Sequence, residues 1–136
     1  MKTLLFFLWM IFSFTVFSQS GEGLQIGDQV PEFSAPADDG TTWEARDYIG
    51  KNNLVVYFYP AAMTGGCTAQ ACAYRDLSTN LTAEDAVVLG VSGDNTEGLR
   101  VFKQAHNLNF TLLSDESGEI VRDRKSTRLN SSHRYV

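Results

Sequence analysis

The chain has 136 residues, 43% of them hydrophobic and 12% aromatic, enough for one folded domain around a single core. Its formal net charge of -5 comes without the clustered lysine and arginine that nucleic acid or an anionic membrane surface requires, so nucleic-acid binding is set aside.

At the N-terminus, MKTLLFFLWMIFSFTVFSQS sets Lys2 before an almost unbroken apolar run from Leu4 to Phe17. About fourteen apolar positions fall short of the roughly 20 that span a bilayer. Residues 1–18 therefore read as a secretory signal cleaved after Ser18, with Val16 and Ser18 at the small-residue positions; an uncleaved anchor is the alternative. The expectation is an exported protein, periplasmic or secreted, with no stable membrane association once the signal is removed. Such a compartment lets two cysteines pair and persist.

Beyond the signal, Asp39-Gly40 stands between two short alternating stretches, predicting a hairpin from Glu32–Ala37 and Thr41–Ala45 with a two-residue turn. Leu54 to Tyr59, LVVYFY, is a continuous apolar run suited to a strand covered on both faces. A helix is predicted to begin at or near Cys67 and run from Thr68 to about Leu81, with no proline or glycine inside it. Ala86–Ser92 reads as a second buried strand, and Asn95 or Thr96 caps a helix carrying Leu99, Val101, Phe102 and Ala105. A third strand, Phe110–Leu113, and a turn at Asp115–Gly118 follow. Strand and helix alternate, so the fold class is α/β, with a mainly parallel sheet and right-handed crossovers.

The last segment breaks with this acidic body. Asp123 to His133, DRKSTRLNSSH, is basic, has no apolar periodicity, and matches residue for residue the translation of a common sequencing adapter. Residues 123–136 therefore read as a non-native tail, and residues 24–122 as a domain whose natural sequence continues past Arg122.

Both cysteines lie in one stretch, YPAAMTGGCTAQAC, from Tyr59 to Cys72. A strand ending at Tyr59 and a helix starting near Cys67 place this loop at the carboxyl edge of a parallel sheet, where α/β proteins bind ligands. Pro60 stops the strand and fixes the turn. Gly65 and Gly66 allow close approach of a small ligand. Cys67 at the helix start faces unpaired amides and the positive end of the dipole, which favour thiolate over thiol. Thr64 can accept or donate a hydrogen bond beside that sulfur. In an ideal helix, residues five apart lie about 7.5 Å along the axis and about 140° around it, roughly 8.7 Å between Cα atoms. A disulfide tolerates about 7 Å. If Cys67 and Cys72 share the helix, they can pair only after its first turns unwind. A metal site is not expected, since this spacing lacks the usual zinc pattern and His106 is the one histidine before the tail.

Pro60, Thr64 and Cys67 also reproduce a longer pattern: proline, three residues, threonine or serine, two residues, cysteine. Cys72 follows five residues on, with VVYFYP before and ACAYRD, VLGVSGDN and FTLLSDESGEIV after. On these residues the chain, from about Ile26 to Arg122, resembles a peroxiredoxin of the monomeric two-cysteine class related to bacterioferritin comigratory protein. The resemblance implies a thioredoxin-like fold with an N-terminal hairpin, here without its C-terminal strands and helix. It implies Cys67, Cys72, Thr64 and Pro60 as catalytic residues of a peroxidase. Cys67 would be oxidised to a sulfenic acid by hydrogen peroxide or a small hydroperoxide, and Cys72 would resolve it as an intramolecular disulfide. A thioredoxin-like reductant would restore both thiols, without metal, flavin or haem. The family's active-site arginine belongs to a later strand beyond Arg122; Arg75 is expected to serve packing or helix pairing instead. Two alternatives stand beside this reading. One is an exported thioredoxin-like protein that exchanges disulfides or binds partners without reducing peroxide, against which the missing C-x-x-C counts. The other is an inactive fragment of a peroxidase.

Overall fold

The computed structural model describes residue 27 and residues 29–123. The signal segment, and all of the tail except Asp123, lie outside these residues. A hairpin of β1 (Ser34–Pro36) and β2 (Thr42–Glu44) runs into a short 3-10 turn at Ala45–Asp47. Then come β3 (Asn53–Phe58), α1 (Gly65–Asp76), α2 (Ser78–Ala83), β4 (Ala86–Ser92), α3 (Thr96–His106), β5 (Thr111–Ser114) and α4 (Glu119–Asp123).

β3, β4 and β5 pair in parallel in that spatial order, with Tyr57 opposite Gly90 and Gly90 opposite Leu112. The order never reverses, so right-handed crossovers carry the intervening helices to the same face of the sheet. Side chains alternate accordingly. Tyr57, Tyr59, Val88 and Leu112 join Cys67 and Ala71 of α1 and Leu99 and Phe102 of α3 in one core. Val56, Phe58, Leu89, Val91 and Leu113 point the other way, where Trp43, Ala45 and Ile120 cover them. The hairpin and α4 thus fill the face that the crossovers leave open.

The hairpin turn has three residues rather than the expected two. Ala37 N donates to Thr41 O at 2.8 Å, and Gly40 closes the turn with a left-handed φ of 85°. Asp38 is drawn out of the turn by a second task. Its backbone N–H donates to Leu112 O at 2.9 Å, and its carboxylate accepts from Leu112 N and pairs with Lys103, each at 2.7 Å. This buried carboxylate fastens the hairpin to β5 and α3 together.

The first helix also differs from expectation. It begins at Gly65, two residues before Cys67, and breaks at Leu77 before α2 resumes at Ser78. The break falls where Ser, Thr and Asn compete with the backbone for hydrogen bonds. Asn109 reaches across from the loop before β5, donating to Ser78 Oγ at 2.7 Å and to the Arg75 carbonyl at 3.5 Å. α3 forms as expected, with the Asn95 side chain accepting from Gly98 N at 2.8 Å and Asn107 ending the helix in left-handed conformation.

On the α1/α3 face, Tyr57 stacks against Tyr59 and Tyr74 at centroid distances of 5.5 and 4.7 Å. Its ring lies over Gly90, where a Cβ would approach Tyr57 Oη and Leu112 Cδ2 to 2.8 Å, so only glycine leaves room for it. The Tyr57 and Tyr59 hydroxyls are buried and unpaired among the described residues. Burial pushes both phenols well above their ordinary value. In the unfolded chain tyrosines lose their protons near pH 10. The folded rings keep theirs, so above that pH the unfolded state binds fewer protons and stability falls as pH rises. The expected slope is up to about 1.4 kcal/mol per pH unit for each ring. Thermal melts between about pH 9 and about pH 11 check this: Tm should drop across that window, and less steeply in Tyr57→Phe and Tyr59→Phe. Equal slopes in all three proteins would contradict it.

Candidate active site

β3 ends at Phe58, and Tyr59 N still donates to Val91 O at 3.0 Å, so the sheet ladder holds up to the residue before Pro60. Pro60 is exposed at the start of the loop. The chain then turns sharply. Met63 takes a left-handed φ of 63°, uncommon for a non-glycine residue, and Thr64 Oγ1 donates to Ala61 O at 3.1 Å across it. The Thr64 hydroxyl has thereby committed its proton, and its free lone pairs act as acceptors.

Thr64 occupies the N-cap position of α1 with extended backbone and no capping side-chain bond. The first intrahelical bond runs from Thr68 N to Thr64 O at 2.8 Å. The amides of Gly65, Gly66 and Cys67 therefore precede any acceptor within the helix. Gly65 and Gly66 are exposed, and a Cβ on either would meet nothing within 4 Å, so the surface beside this first turn is open. Cys67 is the third residue of α1 and is 7% exposed. Cys72 lies on the same helix, half-buried, and both thiols are free.

The helix that carries both sulfurs is lightly held at its start. Its buried residues are Cys67 and Ala71, small side chains one turn apart. Glycine costs about 1 kcal/mol relative to alanine in a helix, and a missing cap costs about 1 kcal/mol more. The far end is better fixed. Arg75 Nη1 donates to His106 O at 2.7 Å, joining α1 to the C-terminus of α3, and Arg75 also pairs with Asp76 at 2.8 Å. Arg75 is thus engaged in helix pairing, with its guanidinium raised above its ordinary value chiefly by Asp76 and to a smaller extent by the neighbouring Cys72. Arg122 Nη1 donates to Ser117 O at 3.0 Å, in the turn before α4. Among the described residues no group of three or more His, Cys, Asp or Glu is placed to hold a metal ion, and no helix is long and apolar enough to cross a membrane.

Sequence reasoning did not single out the residues that tie this loop to the sheet. Asp94 Oδ2 accepts from Ala62 N at 2.7 Å and from Ser92 Oγ at 2.8 Å, and the Asp94 carbonyl accepts from Ser114 Oγ at 2.8 Å. A serine and an aspartate just where the second buried strand ends were the available signal, because neighbouring parallel strands present their carboxyl ends to the same crevice.

A family model described as the AhpC/TSA family matches residues 26–134. Peroxiredoxin Bcp of Escherichia coli K12 is 46% identical over 97 residues, covering 71% of this chain and 62% of that protein. Peroxiredoxin bcp1 of Schizosaccharomyces pombe is 39% identical over 99 residues, covering 73% and 51%. Among solved structures, peroxidoxin BcpB from Mycobacterium tuberculosis superposes with a TM-score of 0.70 at 33% identity, covering 73% of this chain and 64% of that one. A Xanthomonas campestris bacterioferritin comigratory protein, characterised for alkyl peroxide reduction, gives a TM-score of 0.65 at 27% identity, covering 67% and 57%. The chain thus spans between half and two thirds of the length of the relatives it matches.

Proposed function

This chain belongs to the AhpC/TSA family, among the peroxiredoxins of bacterioferritin comigratory protein type, and from that premise we propose that the full-length protein is a thiol-dependent peroxidase acting on hydrogen peroxide and small organic hydroperoxides. The observation that carries the reading is the placement of Cys67. It stands at the third position of a helix whose first three amides lack acceptors within the helix, three residues after a threonine whose hydroxyl proton is already committed, with a second free thiol on the same helix.

The Cys67 thiolate attacks the terminal oxygen of the peroxide. The O–O bond breaks, sulfur is oxidised to a sulfenic acid, and water or an alcohol leaves after taking up a proton. Thr64 accepts the hydrogen bond of the incoming peroxide, the amides of Gly65, Gly66 and Cys67 face its oxygens, and Pro60 fixes the turn that sets the loop. The first turns of α1 then open. Cys72 sulfur displaces hydroxide from the sulfenic acid, the S–S bond forms and water leaves. A thioredoxin-like dithiol reduces the disulfide by exchange and is itself oxidised. No metal, flavin or haem takes part, and the protein works as a monomer.

We place this activity outside the cytoplasm, with residues 1–18 as a removed signal, residues 24–122 as the domain, and residues 123–136 as non-native. In the parent protein, strands that follow Arg122 would supply the arginine of the family and cover the outer edge of β3, which among the described strands pairs only with β4. The chain of 136 residues would then leave an exposed strand edge and an incomplete site, an inactive fragment of an active parent. The test is consumption of hydrogen peroxide by the full-length protein with a thioredoxin and its reductase. Turnover is expected; disulfide exchange without peroxide loss would favour the thioredoxin-like alternative instead.

A further inference from the structure

We propose that Asp94 is the positioning residue of the Cys67 loop, the fixed end from which α1 unwinds and to which it returns. This rests on the peroxidase reading for its purpose but on independent geometry for its substance. Among the described residues, the hydrogen bond from Ala62 N to Asp94 Oδ2, at 2.7 Å, is the one that ties the segment from Pro60 to Thr64 to another part of the fold. The other bonds of this segment are internal to it or to the start of α1: Thr64 Oγ1 to Ala61 O, and Thr68 N to Thr64 O.

Asp94 is itself held from several sides. The same oxygen that takes the Ala62 amide also takes the Ser92 hydroxyl at 2.8 Å, and Ser92 is 1% exposed. The Asp94 amide donates back to Ser92 Oγ at 3.3 Å, and Ser114 at the end of β5 donates to the Asp94 carbonyl at 2.8 Å. Asp115 N donates to Ser92 O at 2.8 Å, so the carboxyl ends of β4 and β5 form one bonded unit. When the first turns of α1 open, the amide of Ala62 stays fixed to that unit. The peroxide-facing loop keeps its place while Cys67, five residues on, swings toward Cys72. Displacing reacting groups by about 1 Å commonly costs on the order of a hundredfold in rate, so a loop cut loose from its anchor should react slowly.

Two features make the proposal separable from a general structural role. Both side-chain bonds go to one oxygen, so the amide oxygen of Asp94→Asn can replace them, whereas Asp94→Ala removes both. The readout is the reaction of Cys67 itself, measured in the full-length protein carrying Cys72→Ser, with iodoacetamide and separately with hydrogen peroxide, alongside amide exchange at Ala62. Asp94→Ala should slow both reactions about tenfold or more and expose the Ala62 amide. Asp94→Asn should restore most of the rate and the protection. Unchanged Cys67 rates in Asp94→Ala with a freely exchanging Ala62 amide would overturn the proposal. So would a folded Asp94→Asn protein that protects Ala62 yet is as slow as the alanine variant, since charge and not position would then be at work. If Asp94→Ala does not fold, the asparagine variant decides alone: protected and fast supports the proposal, and any other outcome rejects it. If the unsubstituted protein is alkylated but inert to peroxide, the peroxidase reading fails while the iodoacetamide comparison still decides the role of Asp94.

Discussion

Cys67→Ser in the full-length protein is expected to lower peroxide reduction to the rate of a protein-free control. A thiolate is the nucleophile in this chemistry, and a serine hydroxyl at the same position neither ionises at neutral pH nor accepts an oxygen atom from peroxide. The exchange removes little packing, since sulfur gives way to a slightly smaller oxygen at a position that is 7% exposed. Stability should therefore change far less than activity, and a melt recorded beside the peroxide assay separates the two. Retained peroxide reduction in this variant would remove Cys67 from the mechanism.

Cys72→Ser has a different expected signature. Attack by Cys67 remains, so each chain should consume about one equivalent of peroxide and then stop, with Cys67 held as a sulfenic acid. A small external thiol should restart turnover by taking the place of Cys72. Half-burial of Cys72 on α1 makes serine tolerable there. Turnover at an undiminished rate with only the thioredoxin-like dithiol present would show that Cys72 is not the resolving thiol. Together the two variants divide the cycle into its oxidation and resolution steps.

What the sequence made legible follows from what kind of signal each element carries. LVVYFY and AVVLGVS announce themselves because a strand buried on both faces has no polar residues to interrupt it, and they form β3 and β4 within one residue of expectation. Asn95 was readable as a cap because the cap bond is local, from Asn95 to Gly98. The hairpin was readable in existence but not in turn length, because Asp38 answers to Leu112 and Lys103, partners 74 and 65 positions away. The break in the first helix at Leu77 was hidden for a similar reason, since Asn109 acts on it from the loop before β5.

The site divides along the same line. Pro60, Thr64, Cys67 and Cys72 lie within thirteen consecutive residues, and local spacing alone brings them to one loop and one helix. Asp94 and Ser92 reach that loop only because β3 and β4 are parallel neighbours whose carboxyl ends align. Charge and periodicity do not report such a contact; its one sign in the sequence is a serine and an aspartate placed where β4 ends.

The most direct test of the account is amide exchange along Gly65–Asp76 in the full-length protein, followed by mass spectrometry before and after one equivalent of hydrogen peroxide. The expected result is a disulfide between Cys67 and Cys72 within each chain, with protection lost over the first turns of α1 and retained near Arg75, where the helix is fastened to His106. An intact, fully protected helix carrying that disulfide, or oxidised chains with no bond between these two sulfurs, would contradict it.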